Sequence, residues 1–199
     1  MISHVYKCIF IHIPRCAGTS IETWLCGRDW WEVDASTKHL TASQTRNAYC
    51  EFWEHYFKFA VVRDPYSRTI SLLKHADHFG LRSDSGQSVD FSGYEELFGQ
   101  DIVVEHDHRF SSRDLLMNAK HRPGQVYGNI LDEQIDFIGK FENLATDMAL
   151  VQRRLGVPEP FNFHVEQSST TERFKLSPED RSWVAATYAD DFSTFGYSR

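Results

Sequence analysis

Two segments of the sequence place small residues, hydroxyls and arginines directly after apolar runs. The first is Ile-Pro-Arg-Cys-Ala-Gly-Thr-Ser at residues 13–20, and it follows an apolar run that begins at Cys8. Small residues let the backbone approach a ligand, hydroxyls donate hydrogen bonds and Arg15 adds a fixed positive charge. A helix beginning at Thr19–Ser20 would add free backbone N–H groups and complete a phosphate or sulfate site. The alternative is an ordinary strand-to-helix turn with a capping hydroxyl.

The second segment is Val-Arg-Asp-Pro-Tyr-Ser-Arg at residues 62–68, and it also follows an apolar run. Arg63 stands at the end of that run, and Ser71 follows eight residues later, about two turns into a predicted helix. A second anion site beside the first would suit a nucleotide with two separate phosphates. The alternative is a structural ion pair between Asp64 and either Arg63 or Arg68.

The elements that must position these segments alternate between strand and helix. Buried strands are predicted where apolar runs are rich in β-branched and aromatic residues, at 8–13, 57–62 and 135–139. Helical patterns follow them at 20–26, 66–78 and 142–155, and further helices are predicted at 42–49 and after Ser177. This alternation predicts an α/β fold with a parallel sheet, in which ligands bind at the carboxyl ends of the strands.

Length and composition limit the function classes. The 199 residues predict one domain, 1–199, with a loop-rich insertion at about 80–128. The net charge of −7 argues against non-specific nucleic-acid binding. The sequence has no apolar run long enough to span a membrane and no secretory leader, so we expect no membrane insertion and a cytoplasmic location. The four cysteines show no CxxC spacing, and we expect reduced thiols at Cys8, Cys16, Cys26 and Cys50.

The two segments together resemble the sulfotransferases that use 3′-phosphoadenosine 5′-phosphosulfate (PAPS). The nearest branch is the carbohydrate type, with its bacterial members and the heparan-sulfate 2-O-sulfotransferases. Two downstream motifs extend the resemblance, Phe-Ile-Gly-Lys-Phe-Glu-Asn-Leu at 137–144 and Tyr-Ala-Asp-Asp-Phe-Ser-Thr-Phe-Gly-Tyr at 188–197. The resemblance implies a P-loop-like parallel sheet flanked by helices, which is the three-layer fold of that family.

The resemblance also implies the site. PAPS would be the co-substrate, its desulfated form (PAP) the product, and no metal is expected. The residues that match the family's donor site are Arg15, Cys16, Ala17, Gly18, Thr19 and Ser20 for the 5′-phosphosulfate, and Arg63 and Ser71 for the 3′-phosphate. Arg15 replaces a family lysine, so it can stabilise charge on the sulfuryl group but cannot donate a proton at neutral pH. Cys16-Ala17 replaces Thr-Gly, which removes one hydroxyl. The segment 168–175 lies where the family has a loop that closes near the nucleotide.

His39 is the predicted catalytic base, because sulfuryl transfer needs a group that accepts the proton of the acceptor hydroxyl near neutral pH. It lies between an aromatic run at 30–33, predicted as strand-like, and the helix predicted at 42–49. The family has a histidine at the corresponding point. The alternative is a helix-capping or surface histidine. His12 is predicted to be a core histidine, and the pairs His75/His78 and His106/His108 lack a third ligand at metal-site spacing.

The functional hypothesis is therefore PAPS-dependent transfer to a hydroxyl acceptor, either a small molecule or a carbohydrate. One alternative is a nucleotide kinase, although Thr19 stands where the phosphate-binding loop of such enzymes requires lysine. Another is a nucleotide-binding protein with weak turnover, which the Arg15 substitution favours. The tryptophans that could stack on sugar rings, or equally fill the core, are Trp24, Trp30, Trp31 and Trp53.

Overall fold

The computed structural model describes residues 1–78, 126–162 and 175–199. The chain divides into two compact units, the first of Met1–Arg63 with Tyr127–Glu166 and the second of Asp64–Val126 with Gln167–Arg199. The insertion predicted at 80–128 lies outside the described residues except for its last three, and the prediction of one domain stays a prediction.

The first unit contains a four-stranded sheet. Its strands are β1 (Ile2–Ser3), β2 (Cys8–Ile11), β3 (Phe57–Val62) and β4 (Phe137–Lys140), in that spatial order. The short β1, which the sequence patterns did not predict, pairs antiparallel with β2. The pairs β2–β3 and β3–β4 are parallel, with Ile11 opposite Ala60 and Val62 opposite Lys140. The predicted α/β fold with a parallel sheet is confirmed.

Eight α-helices lie in the described part of the chain. They are α1 (Gly18–Cys26), α2 (Trp31–Asp34), α3 (Ala42–Ala48), α4 (Cys50–Trp53), α5 (Pro65–His78), α6 (Leu144–Leu155), α7 (Pro178–Thr187) and α8 (Ala189–Phe195). Short 3₁₀ turns form at Ala35–Thr37, Tyr127–Asn129 and Phe141–Asn143. None of these helices is long and apolar enough to cross a membrane.

The strand-like prediction at 30–33 was wrong, because this run is the start of α2. Two carboxylates form the turns around it: Asp29 accepts a hydrogen bond from the backbone N–H of Trp31, and Asp34 accepts one from that of Ser36. Trp30 is buried and Val33 is 49% exposed, which does not follow the strand pattern that the aromatic composition suggested. Local side-chain capping thus overrode a β-favouring composition.

The core of the first unit covers both faces of the sheet. All four residues of β2 are buried, as expected for a parallel strand with helices on both sides. The buried residues of α6 recur at the predicted helical spacing, and they are Leu144, Met148 and Val151. The edge that matters for function is the one at which β2, β3 and β4 all end.

The second unit contains α5, α7 and α8. Asp64 precedes α5 and accepts a hydrogen bond from the backbone N–H of Ser67, which caps the helix. At the start of α7, where the sequence predicted a helix after Ser177, the structure shows a capping box formed by Ser177 and Asp180. The core of this unit consists of Val184, Tyr188 and Phe192, with Tyr66 packed against it.

Candidate functional site

The loop between β2 and α1 has an unusual backbone. Arg15 and Ala17 both lie in the left-handed region, with φ of 67° and 64°. Non-glycine residues adopt this conformation at an energetic cost. Ala17 occupies the N-cap of α1 and has no side-chain oxygen to cap it. The loop therefore presents a helix N-terminus of the kind that binds phosphate or sulfate.

Gly18 is required here by close packing. A β-carbon at Gly18 would lie 2.0 Å from Nε2 of His12, and the whole imidazole ring lies directly beneath this position. His12 is 4% exposed, so its ring has little room to move away. The sequence argument gave Gly18 the role of letting a ligand approach, and the structure shows that it also makes room for a buried histidine.

Arg63 follows β3 at the same edge of the sheet. Its Nη1 donates to the backbone carbonyl of Arg15 at 3.4 Å, and its guanidinium lies 4.0 Å from the ring centroid of Phe141, which follows β4. The loops after all three parallel strands thus meet at one point. The Nε of Arg63 is buried and has no hydrogen-bond partner among the residues that the structure describes.

The positive charges of Arg15 and Arg63 influence one another. Burial first, and then the charge of Arg63, lower the pKa of the Arg15 guanidinium. An arginine stays protonated under such conditions, so the two like charges raise the local positive potential. An anion between them would relieve both the desolvation and the repulsion.

His39 lies close to this loop and is 7% exposed. Its Nδ1 lies 3.3 Å from the backbone carbonyl oxygen of His12, and the two rings meet edge to face at 4.3 Å. A carbonyl only accepts, so the neutral ring carries its proton on Nδ1 and its lone pair on Nε2. The surface alternative for His39 is wrong. The capping alternative is also wrong, since Thr41 caps α3.

A buried ion cluster, which we define as His12, Glu22, Asp29 and Lys38, supports this region. Glu22 accepts from His12 Nδ1 at 2.6 Å and from Lys38 Nζ at 2.8 Å, and Lys38 also contacts Asp29. Burial holds the pKa of His12 well below its ordinary value, and the nearby Lys38 acts in the same direction. Burial raises the pKa of Glu22, and its hydrogen bond from Lys38 opposes that shift.

Sequence reasoning missed Glu22 and Lys38. Glu22 lies one turn after Gly18 and three residues before the buried Leu25, which places a carboxylate on the inner face of α1. An acid on an apolar helix face was the available signal. The segment that contains Lys38 gave no comparable signal, because its partners are set by folding. His12 is a satisfied core histidine, as predicted.

The remaining predicted residues are placed as follows. Thr19 is exposed and Ser20 half-buried in the first turn of α1, while Cys16 is buried, with its Sγ 3.9 Å from the hydroxyl of Tyr127. Ser71 lies on α5 in the second unit, and its pairing with Arg63 stays a prediction. All four cysteines are free thiols.

Other predicted features lie partly or wholly beyond the described residues. The side chains of His75 and His78, the pair His106/His108 and nearly all of the segment 168–175 are outside them. Within the described part of the chain, no three metal-ligating side chains cluster. Of the tryptophans, Trp30 and Trp53 are core residues.

Comparison with known proteins agrees with this geometry. Residues 1–198 match the family model described as "Sulfotransferase family". The chain is also 24% identical to carbohydrate sulfotransferase 14 of Danio rerio over an alignment of 173 positions. That alignment covers 72% of this chain and 44% of the relative, so the chain spans less than half the length of the curated relative. No solved structure matches it. With arginines in the loops at the carboxyl edge of its parallel sheet and a family match along almost its whole length, this chain belongs to the sulfotransferase family.

Proposed function

We propose that this protein transfers a sulfuryl group from PAPS to a hydroxyl of a carbohydrate. Family membership supports the reaction class, and the relative from Danio rerio, a carbohydrate sulfotransferase, supports a carbohydrate acceptor. The observation that carries the proposal is the arginine pair at the sheet edge, where Arg63 Nε is buried without a partner in the described structure. An unsatisfied buried donor is costly unless a ligand completes it.

The residues present fit the donor. PAPS carries a 5′-phosphosulfate and a separate 3′-phosphate, and the site offers two cationic groups joined through the carbonyl of Arg15. In this proposal, the loop N–H groups, Arg15 and the hydroxyls of Thr19 and Ser20 hold the phosphosulfate. Arg63 holds the 3′-phosphate, and the family resemblance implies the same role for Ser71.

The proposed reaction breaks the bond between sulfur and the bridging phosphate oxygen and forms one between sulfur and the acceptor oxygen. PAP leaves as an anion, and Arg15 with the loop N–H groups stabilises the charge that develops on it. His39 takes the acceptor proton on Nε2, while its Nδ1–H holds the ring to the backbone of His12. Because Arg15 cannot lend a proton, its contribution is electrostatic.

Calorimetry with PAP, ADP and ATP, each with and without Mg²⁺, tests the donor site. We expect PAP to bind most tightly and independently of Mg²⁺, and Arg63→Ala to weaken PAP binding by about tenfold or more, as for loss of a charged hydrogen bond. Arg46→Ala is the matched control, because Arg46 is 49% exposed and pairs only with Glu133 among the described residues. Preference for ATP with Mg²⁺ would overturn the proposal in favour of a kinase.

The base is tested by His39→Ala, with PAPS consumption followed against a panel of carbohydrate acceptors. We expect turnover to fall by about 10²–10⁴-fold with PAP affinity retained. Unchanged turnover in a folded variant would exclude His39 as the base. Tight PAP binding by the wild type with no turnover on any acceptor would point to a nucleotide-binding protein instead.

A further inference from the structure

Tyr127 lies between the two loops of the candidate donor site, although no sequence motif marks it. It begins the 3₁₀ turn Tyr127–Asn129, is completely buried and lies 64 residues from Arg63 in the chain. Its backbone carbonyl accepts from the N–H groups of Ile130 and Leu131. The carbonyl of Ile130 in turn accepts from the N–H of Ala42, at the start of α3. Tyr127 is therefore anchored on the segment that follows His39.

The hydroxyl of Tyr127 satisfies both backbone groups of Arg63. It accepts from the Arg63 N–H at 3.0 Å and donates to the Arg63 carbonyl at 2.6 Å. Arg63 lies just past the last residue of β3, where the sheet ladder no longer supplies partners. One side-chain hydroxyl thus supplies both hydrogen bonds that a neighbouring strand would otherwise make to Arg63. It thereby fixes the backbone position from which the Arg63 guanidinium extends.

The same hydroxyl also touches the first loop. It lies 3.9 Å from Sγ of Cys16, and Cys16 stands between the two left-handed residues Arg15 and Ala17. The hydroxyl hydrogen goes to the Arg63 carbonyl, and the Cys16 thiol donates to the carbonyl of Pro14 at 3.7 Å, so the approach of Sγ to the hydroxyl is a packing contact. A single buried oxygen is therefore in contact with both anion-binding segments.

We infer that Tyr127 is a positioning residue that holds Arg63 in register with the first loop and thereby sets the preference for a ligand with a 3′-phosphate. This inference rests on the proposed function, since it takes PAP as the ligand that both segments hold. Tyr127 acts through Arg63 and touches no reacting atom in this scheme. Removal of its hydroxyl is expected to leave the guanidinium present but wrongly placed.

The experiment is a double-mutant cycle on the full chain, with Arg63→Ala, Tyr127→Phe and the double variant. Affinities for PAP and for AMP, which lacks the 3′-phosphate, are measured by calorimetry. We expect Tyr127→Phe to reduce the ratio of PAP to AMP affinity by about tenfold, because a misplaced Arg63 would lose one hydrogen bond to the 3′-phosphate. The double variant should match Arg63→Ala, because Tyr127 has nothing left to position. Tyr56→Phe is the matched control, since within the described part of the chain its hydroxyl bonds only the exposed His4.

The outcomes separate the two ideas. A wild type that does not prefer PAP over AMP overturns the proposed function, and the inference falls with it. A wild type that prefers PAP, an Arg63→Ala variant that loses this preference and a Tyr127→Phe variant that keeps it would overturn the inference alone. Additive losses in the double variant would do the same.

A second experiment keeps the ring and the hydroxyl, so the inference can be tested even if Tyr127→Phe does not fold. Fluorinated tyrosines at position 127 make the hydroxyl a stronger donor and a weaker acceptor without removing it. We expect the PAP-to-AMP ratio to change stepwise with the number of fluorines. A constant ratio across the series would contradict the inference even if Tyr127→Phe does not fold.

Discussion

The buried ion cluster and the pair Arg15/Arg63 are both groups of charged side chains in the first unit, and they differ in how their charges are compensated. In the cluster, Glu22 is bonded by His12 and Lys38, and Lys38 also meets Asp29. In the pair, the charge of Arg63 lowers the pKa of Arg15, and Arg63 Nε has no hydrogen-bond partner within the described residues. The two regions adjoin one another, because His12 bonds Glu22 and also lies against Gly18, one turn earlier in α1.

The difference shows how to separate structural charge from functional charge. Burying an ion costs several kcal/mol unless opposite charges and hydrogen bonds surround it. A cluster whose charges satisfy one another supports the fold, whereas a buried donor that remains unsatisfied is one that a ligand of opposite charge can complete. The comparison therefore predicts opposite responses to substitution in the two regions.

Lys38→Met should have the largest effect on stability. Removal of one partner from a buried ion pair costs about 3–5 kcal/mol. Glu22 then loses the cation that lowers its pKa, so its folded-state pKa rises further above the unfolded value. The folded state binds more protons than the unfolded state above pH ~4.5, so the loss of stability should be greater at pH 8 than at pH 5. Urea unfolding at both pH values measures this.

Arg46→Met is the control for that variant, because it removes one partner of an exposed ion pair and should cost at most about 1 kcal/mol. If Lys38→Met costs no more than Arg46→Met at either pH, the cluster does not support the fold, and the contrast with the arginine pair disappears.

Gly18→Ala tests the point at which the two regions touch. The added methyl group would overlap the buried ring of His12, and overpacking of this kind costs about 1–3 kcal/mol. Thermal unfolding and PAP calorimetry should both register the change. Gly128→Ala is the matched control, because a β-carbon there meets nothing within 4 Å. Equal stability of the two variants would show that the His12 side chain moves aside at no measurable cost.

Ala17→Gly should stabilise the fold slightly. The left-handed backbone at Ala17 costs about 1–2 kcal/mol for a residue with a β-carbon, and glycine removes this cost. Glycine also increases the conformational entropy of the unfolded chain, which offsets part of the stabilisation. We expect a net increase of about 0.5–1 kcal/mol in the free energy of unfolding. Ala149→Gly within α6 should change it by a similar amount in the opposite direction. Loss of stability in Ala17→Gly would mean that the loop does not store strain.

Arg63→Met should change stability least of all. Methionine retains the apolar contact with Phe141, and the variant removes both the unsatisfied Nε and the repulsion with Arg15. We expect a change of at most about 0.5 kcal/mol, because the loss of the long hydrogen bond to the Arg15 carbonyl offsets this relief. Urea unfolding beside Lys38→Met gives the direct contrast. A loss as large as that of Lys38→Met would make Arg63 a structural residue.

Much of the fold followed from local patterns. The strands at β2, β3 and β4 and the helices that follow them lie within a few residues of their predicted ranges, and the helix predicted after Ser177 is α7. The error at 30–33 arose because the side chains of Asp29 and Asp34 shape turns that composition does not reveal. The short β1 was missed because two residues are too few to show the alternation of apolar and polar side chains that marks a strand.

The candidate site was predicted in part. Arg15, Gly18 and Arg63 were identified by residue type at the ends of strands, and the parallel sheet brings those ends together. Glu22, Lys38 and Tyr127 were missed, because each acts through partners that are distant in the chain. Nothing in the neighbourhood of Tyr127 distinguishes it from any other aromatic core residue.

The sequence by itself determined the order of strands and helices, the anion-binding residue types in the two loops and the likeness to sulfotransferases. These depend on periodicity, capping and short motifs, which act over a few residues. Only the tertiary structure decided that Glu22 and Asp29 both pair with Lys38 and that Nε of Arg63 has no partner among the described residues. That outcome depends on strand register and on contacts such as the one between Arg63 and Tyr127, 64 residues apart. Burial makes such pairing decisive, because a charge or donor removed from water must find its partner across the fold or in a bound molecule.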